Sequence, residues 1–194
     1  MRIASALLLV LSLSMPACAQ DAKSLTTIVV VARDELPDPN FKRSRVLVMN
    51  NIGPAPAGVI INRPTKITVA RVFPDKEKLA RFDDKIYFGG PVELGVLSFI
   101  FRAGTPPDNA TQVVDDVYIS TDRDLLHELL SRDKPMQDLR IFMGYSGWSP
   151  GQLEDEIGRG DWKLEPAEAK AMFEHKGEFG WPENSAADGG GQRI

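Results

Sequence analysis

The sequence predicts an α+β domain with a largely antiparallel sheet, and three observations carry that expectation. Short apolar runs rich in β-branched residues recur through the chain, at Thr26–Ala32, Arg45–Met49 and Gly58–Ile61 among others. Amphipathic helical stretches are few and isolated. The segments between neighbouring strands are mostly too short for the helical crossovers that parallel pairing demands. At 194 residues with 43% apolar content, the chain is one domain's worth and can bury a core.

Taken in order, TTIVVVA at Thr26–Ala32 reads as a buried strand, followed by the loop Leu36-Pro37-Asp38-Pro39-Asn40. Arg45–Met49 and Gly58–Ile61 form a hairpin pair across the Gly/Pro-rich Asn51–Pro56. Asn62-Arg63-Pro64 should close the second of them, since Pro cannot continue a central strand. Thr68 is placed to cap a short helix carrying Val69, Val72 and Phe73. Lys85–Phe88, stopped by Gly89-Gly90-Pro91, and Val96–Arg102 and Tyr118–Ser120 are further strands. Thr121 with Asp124 three residues on starts a helix whose apolar stripe is Leu125, Leu126, Leu129 and Leu130. Leu139–Met143 is a strand running into the turn Gly144–Trp148. Ser149 then caps a helix with Pro150 at its first position and Gln152 at its third, burying Leu153 and Ile157. A last helix is expected from Pro166 to about His175, and from Glu183 to Ile194 the polar, Gly/Ala-rich tail lacks the apolar surface to fold.

The first nineteen residues stand apart. Arg2 is their only charge, Ile3–Leu13 is almost continuously apolar, and Ala17-Cys18-Ala19 ends the segment, the pattern of a secretory signal peptide. The apolar run is shorter than the ~20 residues a membrane-spanning helix needs. Two processing outcomes follow: cleavage after Ala19, or a lipoprotein signal in which Cys18 becomes the lipidated first residue. The first gives a periplasmic protein and the second a membrane-anchored one. The single folded unit is then residues 20–182. Cys18 is the only cysteine, so that unit has no thiol for a disulfide, a nucleophile or a metal. The chain carries 23 basic and 27 acidic side chains, and its longest basic run is Lys42-Arg43. That balance argues against a nucleic-acid partner, which calls for a basic face.

Four segments have a specific order and spacing: Gly58–Pro64 (GVIINRP), Gly89–Val92 (GGPV), Ser120–Asp124 (STDRD) and Gly144–Trp162 (GYSGWSPGQLEDEIGRGDW). Together they resemble the YqgE/AlgH family of bacterial proteins, and the resemblance covers roughly residues 26–181. It implies a β-barrel-like antiparallel sheet with helices packed outside. It implies no assigned activity, cofactor or catalytic residue. Family members are often labelled transcriptional regulators, a role at odds with export. Most begin directly at the first strand, and many continue past the last helix into another Trp-containing helix.

Enzymatic patterns are weak. Gly147-Trp148-Ser149-Pro150-Gly151 is a formal G-x-S-x-G between a strand and a helix, the setting of a nucleophile elbow. An elbow needs the backbone N–H after the nucleophile for its oxyanion, and Pro150 has none. Asp124, His127 and Ser131 share one helix face, but working triads draw their members from separate elements. His127 reads as a solvated neighbour of Asp124. His175 sits near a helix end, and two histidines so placed leave no transition-metal site. Asp83-Asp84 and Asp115-Asp116 read as loop acids.

The candidate binding site is a set of turns after strands: Asn62, Arg63, Gly89, Gly90, Tyr145, Gly147, Trp148 and Gln152. If these converge beside a helix N-terminus, an exposed Arg63 and free amides would hold a small anion or a peptide terminus. The expected function is thus a non-catalytic binding or accessory protein of the cell envelope, without a cofactor. The alternative is a hydrolase whose site the sequence does not advertise. A pocket holding a His or a carboxylate of perturbed pKa would favour the hydrolase, and a shallow apolar groove with glycine turns the binder.

Overall fold

A computed structural model of the protein describes residues 27–174, apart from positions 37 and 51. Residues 1–19, read above as a signal peptide, with Cys18 and Ala19, and His175, Trp181 and residues 183–194 lie outside the described residues. The elements run Thr27–Ala32 (β1), Arg45–Met49 (β2), Ala57–Ile60 (β3), Pro64–Thr68 (β4), Val69–Val72 (α1), a 3-10 turn Glu77–Arg81, Lys85–Phe88 (β5), Val92–Arg102 (β6), Thr111–Val114 (β7), Val117–Ser120 (β8), Arg123–Leu129 (α2), Leu139–Gly147 (β9), Gln152–Arg159 (α3), Trp162–Pro166 (β10) and Ala169–Glu174 (α4).

The strands join in one curled half-barrel of order β10-β1-β2-β3-β9-β6-β8-β7, with β4 and β5 attached beside β9. Strand β9 is the seam. Its Ile141–Met143 stretch pairs with β6, its Phe142 and Met143 with β5, and its Ser146 and Gly147 with β3. The expected antiparallel character holds except for β5–β9, which is parallel. There the chain between the two strands, running through β6 and α2, supplies the long crossover that parallel pairing requires.

Period-2 alternation sorts the side chains onto two faces. Val29, Leu47, Met49, Val59, Ile100, Val117 and Phe142 form one cluster, drawn from both halves of the sheet and therefore lying inside the curl. Their sequence neighbours point outward. Val30, Val46, Val48 and Ile60 pack with Trp148, Leu153 and Trp162 under α3. Phe99, Phe101 and Ile141 pack under Leu126, Leu129 and Leu130 of α2 and Val69 of α1. Three helices thus lie outside as expected, whereas α4 sets Ala169 and Met172 against the inner cluster.

Several expectations are corrected. Asn62-Arg63-Pro64 does follow the end of β3 at Ile60, but Pro64 also opens a strand the sequence reading did not place, β4, as Pro can at the first residue of a strand. Strands β7 and β10, which the sequence reading did not place, are edge strands whose sequences TQVV and WKLEP mix polar with apolar residues. Strand β6 starts at Val92, with an irregularity between Val92 and Leu97. Strand β9 does not turn at Gly144 but continues to Gly147, with Gly144 at φ 67°. Asp122, not Thr121, caps α2, its carboxylate accepting from Leu125 N–H at 2.7 Å. Gly151 is the N-cap of α3, so the Ser149 side chain is not. Instead Gln152 reaches back to accept from the Ser149 N–H at 3.0 Å. Since Pro166 belongs to β10, the last helix starts only at Ala169. Thr68 does cap α1, accepting from Arg71 N–H.

Candidate functional site

The motif turns meet where β3, β5 and β9 come together, but mainly as backbone. Phe88 N–H donates to Arg63 O (2.8 Å), Gly89 N–H to Met143 O (2.8 Å), and Ile60 N–H to Gly89 O (2.9 Å). The Ser146 hydroxyl donates to Gly89 O at 3.0 Å. A side chain on Gly89 would collide with Gly144 O, and one on Gly90 with the Tyr145 carbonyl. These glycines let two backbones touch. Asn62 is engaged locally, its Oδ1 accepting from Arg45 N–H (2.8 Å) and its Nδ2 donating to Arg43 O (2.9 Å).

The eight residues do not present one surface. Tyr145 packs toward the inner cluster, whereas Trp148 is buried in the outer cluster under α3. Gly147 and Gln152 are exposed. Arg63 is not the exposed cation expected: it is 9% exposed, with its guanidinium over the Phe88 ring at 5.1 Å. Burial lowers its pKa to about 10, partly opposed by Asp38. The free end of α3 faces its own Glu154 and Asp155 in the first turn. Nor does the G-x-S-x-G stretch meet a histidine. His127, the only one among the described residues, stands edge-on to Phe73 (5.8 Å) on the other outer flank.

The concave feature the sequence did not announce lies inside the curl. A groove of about 540 Å³ is floored by Met49, Val59 and Ile119 with Tyr145, and edged by the exposed Ile52 and Val96. Gly58 and Gly144 form part of its wall, and Glu93 and Asp108 are the charged residues that line it. Ser98, 8% exposed, alternates with Ile100 on this face, and its hydroxyl has no hydrogen-bond partner among the described residues. Strand β8 pairs with β6 from Phe99 to Arg102, so Val92–Ser98 runs past the end of β8 along the groove. No short-range pattern marks the site, because its residues come from six strands and three of the segments that connect them.

A second cavity, about 410 Å³, lies by the far end of α4 and includes Tyr87, Arg140 and Phe173 with Asp83, Asp84 and Asp138. Arg140 is nearly buried there, which lowers its pKa; its guanidinium sits 4.5 Å from the Tyr87 ring. It donates to Ile61 O (3.1 Å) and Phe173 O (3.3 Å), tying α4 to the sheet. A charge in the apolar run Leu139–Met143 was the available signal for this residue. The third feature missed is Glu156. Trp148 Nε1–H (3.0 Å) and Trp162 Nε1–H (2.8 Å) both donate to its Oε2, and Gln152 Nε2–H (2.9 Å) to its Oε1. Burial alone would raise the Glu156 pKa, but the hydrogen bonds from Trp162, Gln152 and Trp148, with the nearby Arg159, hold it below the ordinary value.

Comparison with known proteins agrees with this architecture. The AlgH-like family model matches residues 29–191. A UPF0301 protein of Chlorobium limicola is 32% identical over 171 residues, covering 86% of this chain and 88% of the relative. One from Azoarcus is 31% identical over 155 residues, 78% of this chain and 82% of the relative. The solution structure of AlgH from Pseudomonas aeruginosa superposes with a TM-score of 0.63 at 25% identity, over 79% of this chain and 82% of that one. A crystal structure of a Corynebacterium diphtheriae protein gives 0.59 at 26% identity, over 74% and 76%. The segments GVIINRP, GGPV and GYSGW thus occupy the β3–β5–β9 junction of a shared fold, and the chain belongs to the AlgH-like family.

Proposed function

We propose that this chain is a non-catalytic binding or accessory protein of the cell envelope, whose inner groove holds an extended apolar peptide segment. The observation that carries the reading is the groove itself: an open, apolar concavity with glycines in its wall and no histidine among its lining residues. Such a surface suits burial of apolar side chains rather than proton transfer. The part of β6 running past β8 offers strand backbone along the groove, which favours an extended ligand. Export rests on Arg2, the apolar run to Leu13 and Ala17-Cys18-Ala19.

Three experiments test this. Isotope-labelled protein titrated with the neutral peptide acetyl-Val-Thr-Val-Thr-Val-amide should show NMR shifts at Met49, Val59, Ile119 and Tyr145. Shifts confined to other regions, or none at millimolar concentration with this peptide or with charged counterparts, would overturn the groove assignment. Labelling of Ser149 by a fluorophosphonate would overturn the non-catalytic reading. For export, the full chain should fractionate outside the cytoplasm and begin at Gln20 or a lipidated Cys18; an unprocessed cytosolic form beginning at Met1 would end that part.

A further inference from the structure

We infer that the groove selects a peptide carrying a Lys or Arg beside its apolar side chains, with a hydrogen-bonding group placed against Ser98. This rests on the groove reading above and adds the chemistry of the ligand. Two independent features carry it. The first is charge: Glu93 and Asp108 are the charged side chains that line the groove, and both are acids exposed at its rim. A cationic side chain there is attracted and an anionic one repelled, over the short range that physiological salt permits.

The second is Ser98. It stands on the inner face between the outward-facing Leu97 and Phe99, in register with Phe142 on β9. Its hydroxyl is buried with no hydrogen-bond partner among the described residues, and the residue lines the groove. A buried hydroxyl without a partner is unfavourable, so an alanine at this position would leave the empty protein no less stable. A ligand that brings a carbonyl or amide to the groove floor supplies the missing partner. A purely hydrocarbon ligand would not. Peptide backbone brings such a group at every residue, and side chains of one face every second residue fit the apolar floor.

The test compares acetyl-Lys-Val-Thr-Val-Lys-amide with acetyl-Glu-Val-Thr-Val-Glu-amide by NMR titration of the intact mature protein. The lysine peptide should bind about tenfold more tightly at low salt, a gap that closes in 0.5 M salt. In Ser98→Ala, affinity for the lysine peptide should fall about two- to tenfold while the melting temperature of the free protein stays level or rises. Equal binding of the two peptides, or unchanged affinity in Ser98→Ala, would sink the inference while leaving the groove reading intact. Failure of the neutral peptide together with both charged ones would instead remove the groove reading itself. A lower melting temperature in Ser98→Ala would show a structural hydroxyl and count against its role in recognition.

Discussion

Two indole N–H groups on one carboxylate oxygen make Glu156 the residue with most to lose. Trp148 and Trp162 are both buried, and each would be left with an unpaired donor if Glu156 were truncated. Glu156→Ala should therefore destabilise by about 2 kcal/mol, and Glu156→Gln by less, since its amide oxygen still accepts. The pH dependence has a definite sign. The folded pKa lies below the ordinary glutamate value, so the stabilisation is complete above that value and lost as pH falls through the folded one. Urea titrations from pH 7 down to pH 3 should show this loss in the wild type and a shallower one in Glu156→Gln. Gly89 makes the complementary case of a side chain that must be absent. An added methyl would meet the Gly144 carbonyl, which is backbone and cannot step aside. Gly89→Ala should cost roughly 3 kcal/mol or prevent folding, read as soluble yield and melting temperature.

At the scale of elements, α3 begins and ends on left-handed glycines, Gly151 at φ 81° and Gly160 at φ 83°. Gly160 N–H closes the helix onto Glu156 O and Ile157 O. Open space surrounds both glycines, so backbone strain alone sets the effect of a side chain. Gly160→Ala should cost about 1 kcal/mol, whereas Ser149→Ala should change stability by less than about 0.5 kcal/mol, because only the Ser149 backbone takes part in the cap. Differential scanning calorimetry of the two variants separates these outcomes. The helix itself was legible in the sequence, but its cap was not, since Ser-Pro-Gly-Gln satisfies the capping pattern two residues before the actual cap, Gly151. Strands β1, β2, β3 and β5 were equally legible because they are short runs of mostly β-branched, aromatic and other apolar residues. Strands β7 and β10 escaped because edge strands carry Gln112, Lys163 and Glu165 in sequence contexts that resemble loops. Arg63 was misplaced for a related reason: nothing local tells an exposed arginine from one laid over Phe88.

For the molecule as a whole, β9 should be the most stable element. It carries partners on both edges, and its Phe142 and Ile141 are fully buried on opposite faces. Native-state hydrogen exchange should find its slowest amides in Leu139–Ser146 and faster ones in the edge strands β7 and β10; the reverse order would show that the two halves of the sheet are separately stabilised. The groove lay beyond sequence reasoning for the same topological reason, since Met49, Ser98, Ile119 and Tyr145 meet only once the sheet curls. The pairing of β1 with β10 has one more consequence. Ile28 finds its partner Pro166 only after nearly the whole domain has been synthesised. A chain emerging from the ribosome therefore keeps its first strand half-bonded until almost the last element has appeared. Such long-range pairing slows folding. Under the export proposed above, a chain that must thread a translocase before it folds would gain time from that delay.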